Sequence, residues 1–230
     1  MDFYHLSETL IRLRMALHFR LSKKSPREAP KIFVVGHPRT GTTSLHRLFL
    51  AAGKTSIHRA ADWPTSQAEC FSDYGHCRPI RQLADYYARA RFVLNCRPVR
   101  NHLLSLGAYY DRSFSARTYR YELRRRLRHF DNVLDVLGQG DRLIVVNIER
   151  PGAMGFVAEQ LGLQLPPAQT SDTKHNRARR HPTERTRRNV DEALAAIGAR
   201  GDEPLLVQGA SASRSHEILK GLEERGRVFL

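Results

Sequence analysis

Two glycines, four hydroxyls and one arginine crowd into Gly36-His37-Pro38-Arg39-Thr40-Gly41-Thr42-Thr43-Ser44. An apolar β-branched run precedes them and a helix-period run follows. Glycines at 36 and 41 let the backbone turn tightly and aim N–H groups at an anion, and a helix starting near Thr42 adds the positive end of its dipole. The order matches G-x-x-x-x-G-K-[ST] at every fixed position except the lysine, where Thr42 stands. The loop therefore has the parts to hold a phosphate-like anion, with its cation supplied by Arg39 instead. A magnesium-dependent phosphoryl transferase also needs a carboxylate at the end of a neighbouring strand. Here one candidate strand is followed by Arg97, and another ends at Asn147 with Glu149 two residues on. These residue types fit an anion transfer that needs no metal.

The elements that must position the loop are readable from periodicity. Runs at 31–36, 55–58, 91–96 and 142–148 alternate with helix-period stretches near 42–52, 79–89, from Pro98, 117–137 and 151–161. That alternation, with near-continuous apolar strands, predicts an α/β fold, a three-layer parallel sheet with helices on both faces, and the glycine-rich motif after its first strand makes the expected fold P-loop NTPase-like. Ligands of open parallel sheets sit outside the carboxyl ends of the strands, so 36–43, 58–63, Arg97 and 147–150 should converge on one rim. We expect three parts: an N-terminal amphipathic helix over 1–30, a core over 31–182, and a helical C-terminal extension over 183–230 packed on the core. Segment 163–182, with Pro166, Pro167 and Pro182, reads as a loop passing the rim.

The chain has 230 residues and a formal charge of +15 carried mainly by arginine. Such a charge implies an anionic ligand or surface without choosing among nucleotide, glycan, nucleic acid and lipid headgroup. Leu6, Leu10, Leu13 and Leu17 form a helical stripe that either docks on the chain's own domain or lies on an anionic membrane. Its arginines rule out a membrane span or a signal segment, and the expected location is the cytoplasm. Cys70, Cys77 and Cys96 are odd in number and lack C-x-x-C spacing, which predicts reduced thiols and no zinc site.

On these residues, "GHPRTGTTSLHRLF" resembles the 5′-phosphosulfate loop of sulfotransferases that use 3′-phosphoadenosine 5′-phosphosulfate, whose pattern is Pro-Lys/Arg-Ser/Thr-Gly-Thr-Thr. "FVLNCRPVRNHLLSL" is similar to the family's second signature, an arginine ending a strand with a serine eight residues later. The resemblance spans roughly Lys31 to Arg177 and is closest to small soluble bacterial members. It implies that Pro38, Arg39, Thr40, Gly41, Thr42, Thr43 and Ser44 hold the 5′-phosphosulfate, and that Arg97 and Ser105 grip the 3′-phosphate. By the same analogy His175, Asn176 and Arg177 close over the adenine or 3′-phosphate.

Sulfuryl transfer builds negative charge on the oxygen that leaves with the nucleotide, so a cation must face it. Arg39 holds the family position of that cation. An acceptor hydroxyl also needs a base, for which His58, at a strand end, and Asp62 are the candidates, with Asp73 and His46 nearby. Trp63 and the segment to Tyr74 are expected to wall the acceptor pocket. The sequence thus reads as a metal-independent sulfotransferase acting on a small-molecule, glycan or lipid-linked hydroxyl or amine, with no nucleic-acid partner. Two alternatives stay open at this point: a nucleotide or small-molecule kinase with a degenerate loop, and a non-catalytic basic module that binds nucleic acid or another polyanion through its arginine helices.

Overall fold

The computed structural model describes residues 3–21, 30–58, 67–73, 75–110, 114–166, 181–204 and 212–230. Its strands are β1 (Ile32–Val34), β2 (Ser56–His58), β3 (Cys70–Ser72), β4 (Arg91–Cys96), β5 (Leu143–Asn147) and β6 (Val228–Phe229). They form one sheet in the order β2-β3-β1-β4-β5-β6, and every pairing is parallel. The helices are α1 (Phe3–Leu21), α2 (Thr42–Ala51), α3 (Ile80–Tyr86), α4 (Val99–Tyr110), α5 (Ala116–Leu137), α6 (Ala153–Leu161), α7 (Glu184–Ala195) and α8 (Ala212–Glu224).

Side chains alternate across a strand, and here both faces are covered. Phe33, Phe92, Leu94, Leu143 and Val145 enter one core with residues of α3, α5 and α8. Val34, Val93, Ile144 and Val146 enter the opposite core, formed with α2 and α6. This is the three-layer α/β arrangement that near-continuous apolar strands require. A third cluster joins α4, α5 and α7.

The connection from β1 runs to β2 on one side, while that from β4 runs to β5 on the other. Between the carboxyl ends of β1 and β4 the direction of winding therefore reverses. Crevices at such a switch point take ligands in open α/β sheets, and the residues placed there are Gly36 to Gly41 and Arg97.

Three features differ from the expectation. β3 lies between β1 and β2, within a stretch read as loop; three residues are too few to display a period. The segment over 183–230 is not only helical, since β6 extends the sheet with Val228 opposite Val145 and Phe229 opposite Val146. The N-terminal helix docks through the neighbouring stripe, with Met15 2% exposed and Ile11 and Phe19 packed beside it. Leu10, Leu13 and Leu17 of the predicted stripe are instead 57–61% exposed. The three thiols are buried and unbridged, and burial pushes those of Cys70 and Cys96 up to about 12. Among the described residues no helix is long and apolar enough to cross a membrane.

Candidate functional site

β1 and β4 are in register with Val34 opposite Val93, which brings Gly36 level with Asn95. Asn95 is fully buried, and its amide group fastens the loop from the neighbouring strand. Its Oδ1 accepts from the Gly36 N–H at 3.0 Å, and its Nδ2 donates to the Thr40 carbonyl at 2.7 Å and to Thr40 Oγ1 at 2.8 Å. Thr40 Oγ1 in turn donates to the His37 carbonyl at 2.5 Å. A Cβ at Gly36 would sit 2.2 Å from the Asn95 carbonyl oxygen, so only glycine fits. Gly41 has φ 89° and faces Ile148, closing the turn in the left-handed region.

α2 starts directly after Gly41 without a side-chain cap. By contrast, α5 and α7 are capped by Ser115 and Thr183, whose hydroxyls accept from Thr118 N and Thr186 N. The first N–H groups of a helix have no intrahelical acceptor. Those of α2 therefore remain available to an anion held in the loop, where the helix dipole also favours negative charge.

Arg97 and Ser105, separated from the loop by some sixty residues in sequence, meet it in space. Arg97 Nη1 donates to the Arg39 carbonyl at 3.2 Å, and Arg39 Nε donates to Ser105 Oγ at 3.3 Å. The Arg39 guanidinium lies over the Tyr109 ring, 4.5 Å from its centroid, so its charge rests on α4. Arg39 also has φ 65°, an unusual left-handed conformation for a side chain with Cβ. Arg97 is already paired: its Nη2 donates to Glu149, whose other oxygen accepts from Asn101 Nδ2 at 2.7 Å.

A buried polar layer supports this rim from beneath. His102 Nε2 donates to the Pro38 carbonyl at 3.0 Å, and His129 Nε2 donates to that of Val35. Arg126 Nη2 donates to the Arg97 carbonyl at 2.7 Å and also to Pro204. Arg126 is 1% exposed, and burial lowers its pKa to about 10, still charged at neutral pH. Burial first, then neighbouring histidines and Arg126, keep His37 well below the usual imidazole range. Burial, Arg126 and Arg97 do the same to His102. Both imidazoles are therefore neutral at pH 7.

At the next strand, His58 ends β2 and points across to α2. Its Nε2 lies 3.2 Å from Thr43 Oγ1 and its Nδ1 3.0 Å from Ser72 Oγ. Ser72 Oγ donates to the Ile57 carbonyl at 3.4 Å, so Ser72 can accept from Nδ1–H, the tautomer that leaves a lone pair on Nε2. Asp73, with φ 78°, places Oδ2 3.9 Å from the same nitrogen. His46 stacks on His58 with centroids 5.3 Å apart and is held by Ser56 Oγ at 2.8 Å; burial and then Arg47 lower its pKa.

The predicted loop residues Pro38 to Ser44, with Arg97, Ser105 and His58, thus gather on one rim. Asp62, Trp63, Tyr74, His175, Asn176 and Arg177 lie outside the described residues. Among the described residues, the carboxylate beside His58 is Asp73. Asn95 carried a readable signal, a lone amide inside an apolar strand, whereas His102, His129 and Arg126 sit on helices and offered none. No protein-family model matches the chain, and no curated protein matches it.

Proposed function

We propose that the chain is a cytoplasmic sulfotransferase that moves a sulfuryl group from 3′-phosphoadenosine 5′-phosphosulfate to a hydroxyl or amine acceptor, without a metal. The observation that carries this reading is the meeting of loop, Arg97 and Ser105 in one hydrogen-bonded chain. A cradle for one phosphate would need only the loop; a second cation and a serine beside it suit a donor with phosphates at both 5′ and 3′ positions.

In this reading the N–H groups at the start of α2 and the hydroxyls of Thr42, Thr43 and Ser44 hold the 5′-phosphosulfate. Arg97 exchanges Glu149 for the 3′-phosphate, and Ser105 exchanges Arg39 for it. Released from Ser105, the Arg39 side chain turns to the oxygen that bridges sulfur and phosphorus, where charge grows as the bond breaks. The acceptor oxygen forms its bond to sulfur as the sulfur–oxygen bond to the leaving 5′-phosphate breaks. The acceptor's proton passes to His58 Nε2, which gives up Thr43 as its partner, and Asp73 stabilises the imidazolium that results. The acceptor is a small, glycan or lipid-linked molecule.

The test is turnover in EDTA. Release of adenosine 3′,5′-bisphosphate from the phosphosulfate, without added metal, is the expected result. Phosphoryl transfer from ATP that requires Mg2+ would favour a kinase instead. Salt-sensitive nucleic-acid binding with no donor binding would favour a basic binding module.

A further inference from the structure

On the α3 and α5 side of the sheet lies a cavity of about 530 Å³, within the range of small-molecule sites. Arg78, just before α3, and Arg81, in its first turn, line one wall. Tyr121, Arg125, Arg128 and Asn132 line another, and their spacing of three or four residues puts them on one face of α5. Among the described residues that line it, four are arginines and none is a carboxylate. Among the described residues, Arg125 pairs with Glu122 at 3.2 Å, Arg81 approaches Asp135 at 3.9 Å, and Arg78 Nη1 donates to Met15 Sδ at 2.9 Å.

The cavity also reaches the loop. His37 lines it, is 3% exposed, and its Nε2 has no hydrogen-bond partner among the described residues. A buried polar nitrogen in that state costs stability unless something satisfies it. Packing alone gives no reason to gather four guanidiniums and an unsatisfied imidazole around one space, because like charges repel and each favours a counter-anion. Guanidinium groups match the planar oxygen pairs of phosphate and sulfate.

We propose that this cavity is a second anion site, taking a phosphate- or sulfate-class group of a small molecule through Arg78, Arg81, Arg125, Arg128 and His37. Resting on the reading of the loop as the sulfuryl-donor site, that molecule is the acceptor. Its anionic group anchors in the cavity while its nucleophile extends past His37 towards the anion held in the loop. The acceptor class is then a phosphorylated or sulfated compound, and the arginines of α5 select it.

Calorimetry on the full chain decides this. Inorganic pyrophosphate is titrated into protein already saturated with adenosine 3′,5′-bisphosphate, which fills the loop. A remaining pyrophosphate site is expected, weakened at least about tenfold in the double variant R125Q/R128Q, with bisphosphate affinity unchanged. Arg128 is exposed and Arg125 half-buried, so circular dichroism should show the native fold. Arg81→Gln, on a more exposed side chain, is a second variant and should weaken pyrophosphate about threefold. Pyrophosphate binding that vanishes once the bisphosphate is bound, or that keeps full strength in R125Q/R128Q, overturns the proposal. Should the bisphosphate itself not bind, the loop reading fails, and pyrophosphate titrated into bare protein still decides the cavity. Loss in R125Q/R128Q but not in Arg97→Ala then supports it, and the reverse refutes it.

Discussion

Asn95→Ala should damage both the stability of the fold and the grip of the loop. The side chain makes three hydrogen bonds, one from Gly36 N–H and two to Thr40, and is fully buried. Each such bond is worth about 1 kcal/mol net, and the Gly36 N–H and Thr40 carbonyl left behind lose their partner. The expected loss of unfolding free energy is therefore about 3 kcal/mol, read from urea denaturation followed by circular dichroism. A loosened loop must be re-ordered by its ligand, and if about half of the loss reappears on binding, affinity for adenosine 3′,5′-bisphosphate falls about tenfold. Asn95→Asp is the sharper companion. It can still accept from Gly36 but turns both donated bonds into oxygen–oxygen contacts, so it should cost at least as much despite its nearly identical shape. A stability loss below about 1 kcal/mol for Asn95→Ala, or a full loss with unchanged affinity, would refute the idea that this side chain holds a ligand-binding loop in shape.

Further outcomes follow from the same contacts. Glu149→Gln removes the charge that competes for Arg97; a partly exposed pair is worth about 1 kcal/mol, so bisphosphate should bind about fivefold tighter in calorimetry. His58→Ala should lower turnover about a hundredfold or more while bisphosphate affinity stays near wild type, which steady-state kinetics and calorimetry together would show. Stability should also depend on pH through His37 and His102. Their folded pKa values are depressed by burial, so below the ordinary imidazole range near 6.5 the unfolded chain takes up protons that the native state does not. Their contribution is present in full above that pH and is lost as pH falls, with a slope approaching about 2.7 kcal/mol per pH unit for the two groups. Urea melts between pH 7.5 and 5.5 measure it, and His102→Gln, which keeps an amide donor for the Pro38 carbonyl, should roughly halve the slope.

The middle of the sheet was legible because β1, β4 and β5 are buried on both faces and read as unbroken apolar runs. The loop was legible because two glycines and four hydroxyls after such a run have few other uses. β3 and β6 were not, since Cys70-Phe71-Ser72 and Val228-Phe229 become strands only by pairing with neighbours far away in sequence. His58 lies at the strand end where its position in the sequence puts it, but its contact with Ser72 depends on β3 and so was hidden with it. The cavity was hidden for a different reason. Arg125 and Arg128 look like part of a solvated basic helix, and only the packing of α5 against α3 brings them opposite Arg78 and next to His37. The leucines of α1 show the reverse error, because an amphipathic stripe in sequence does not say which of two adjacent stripes docks.

The rim between β1 and β4 is proposed to hold a nucleotide by phosphates at both 5′ and 3′ positions. Calorimetry comparing adenosine 3′,5′-bisphosphate with 5′-AMP, in wild type and Arg97→Ala, tests it most directly. The expected result is a clear preference for the bisphosphate that disappears in Arg97→Ala while 5′-AMP binding stays the same. Equal binding of the two nucleotides by the wild type, or an undiminished preference in Arg97→Ala, would contradict it.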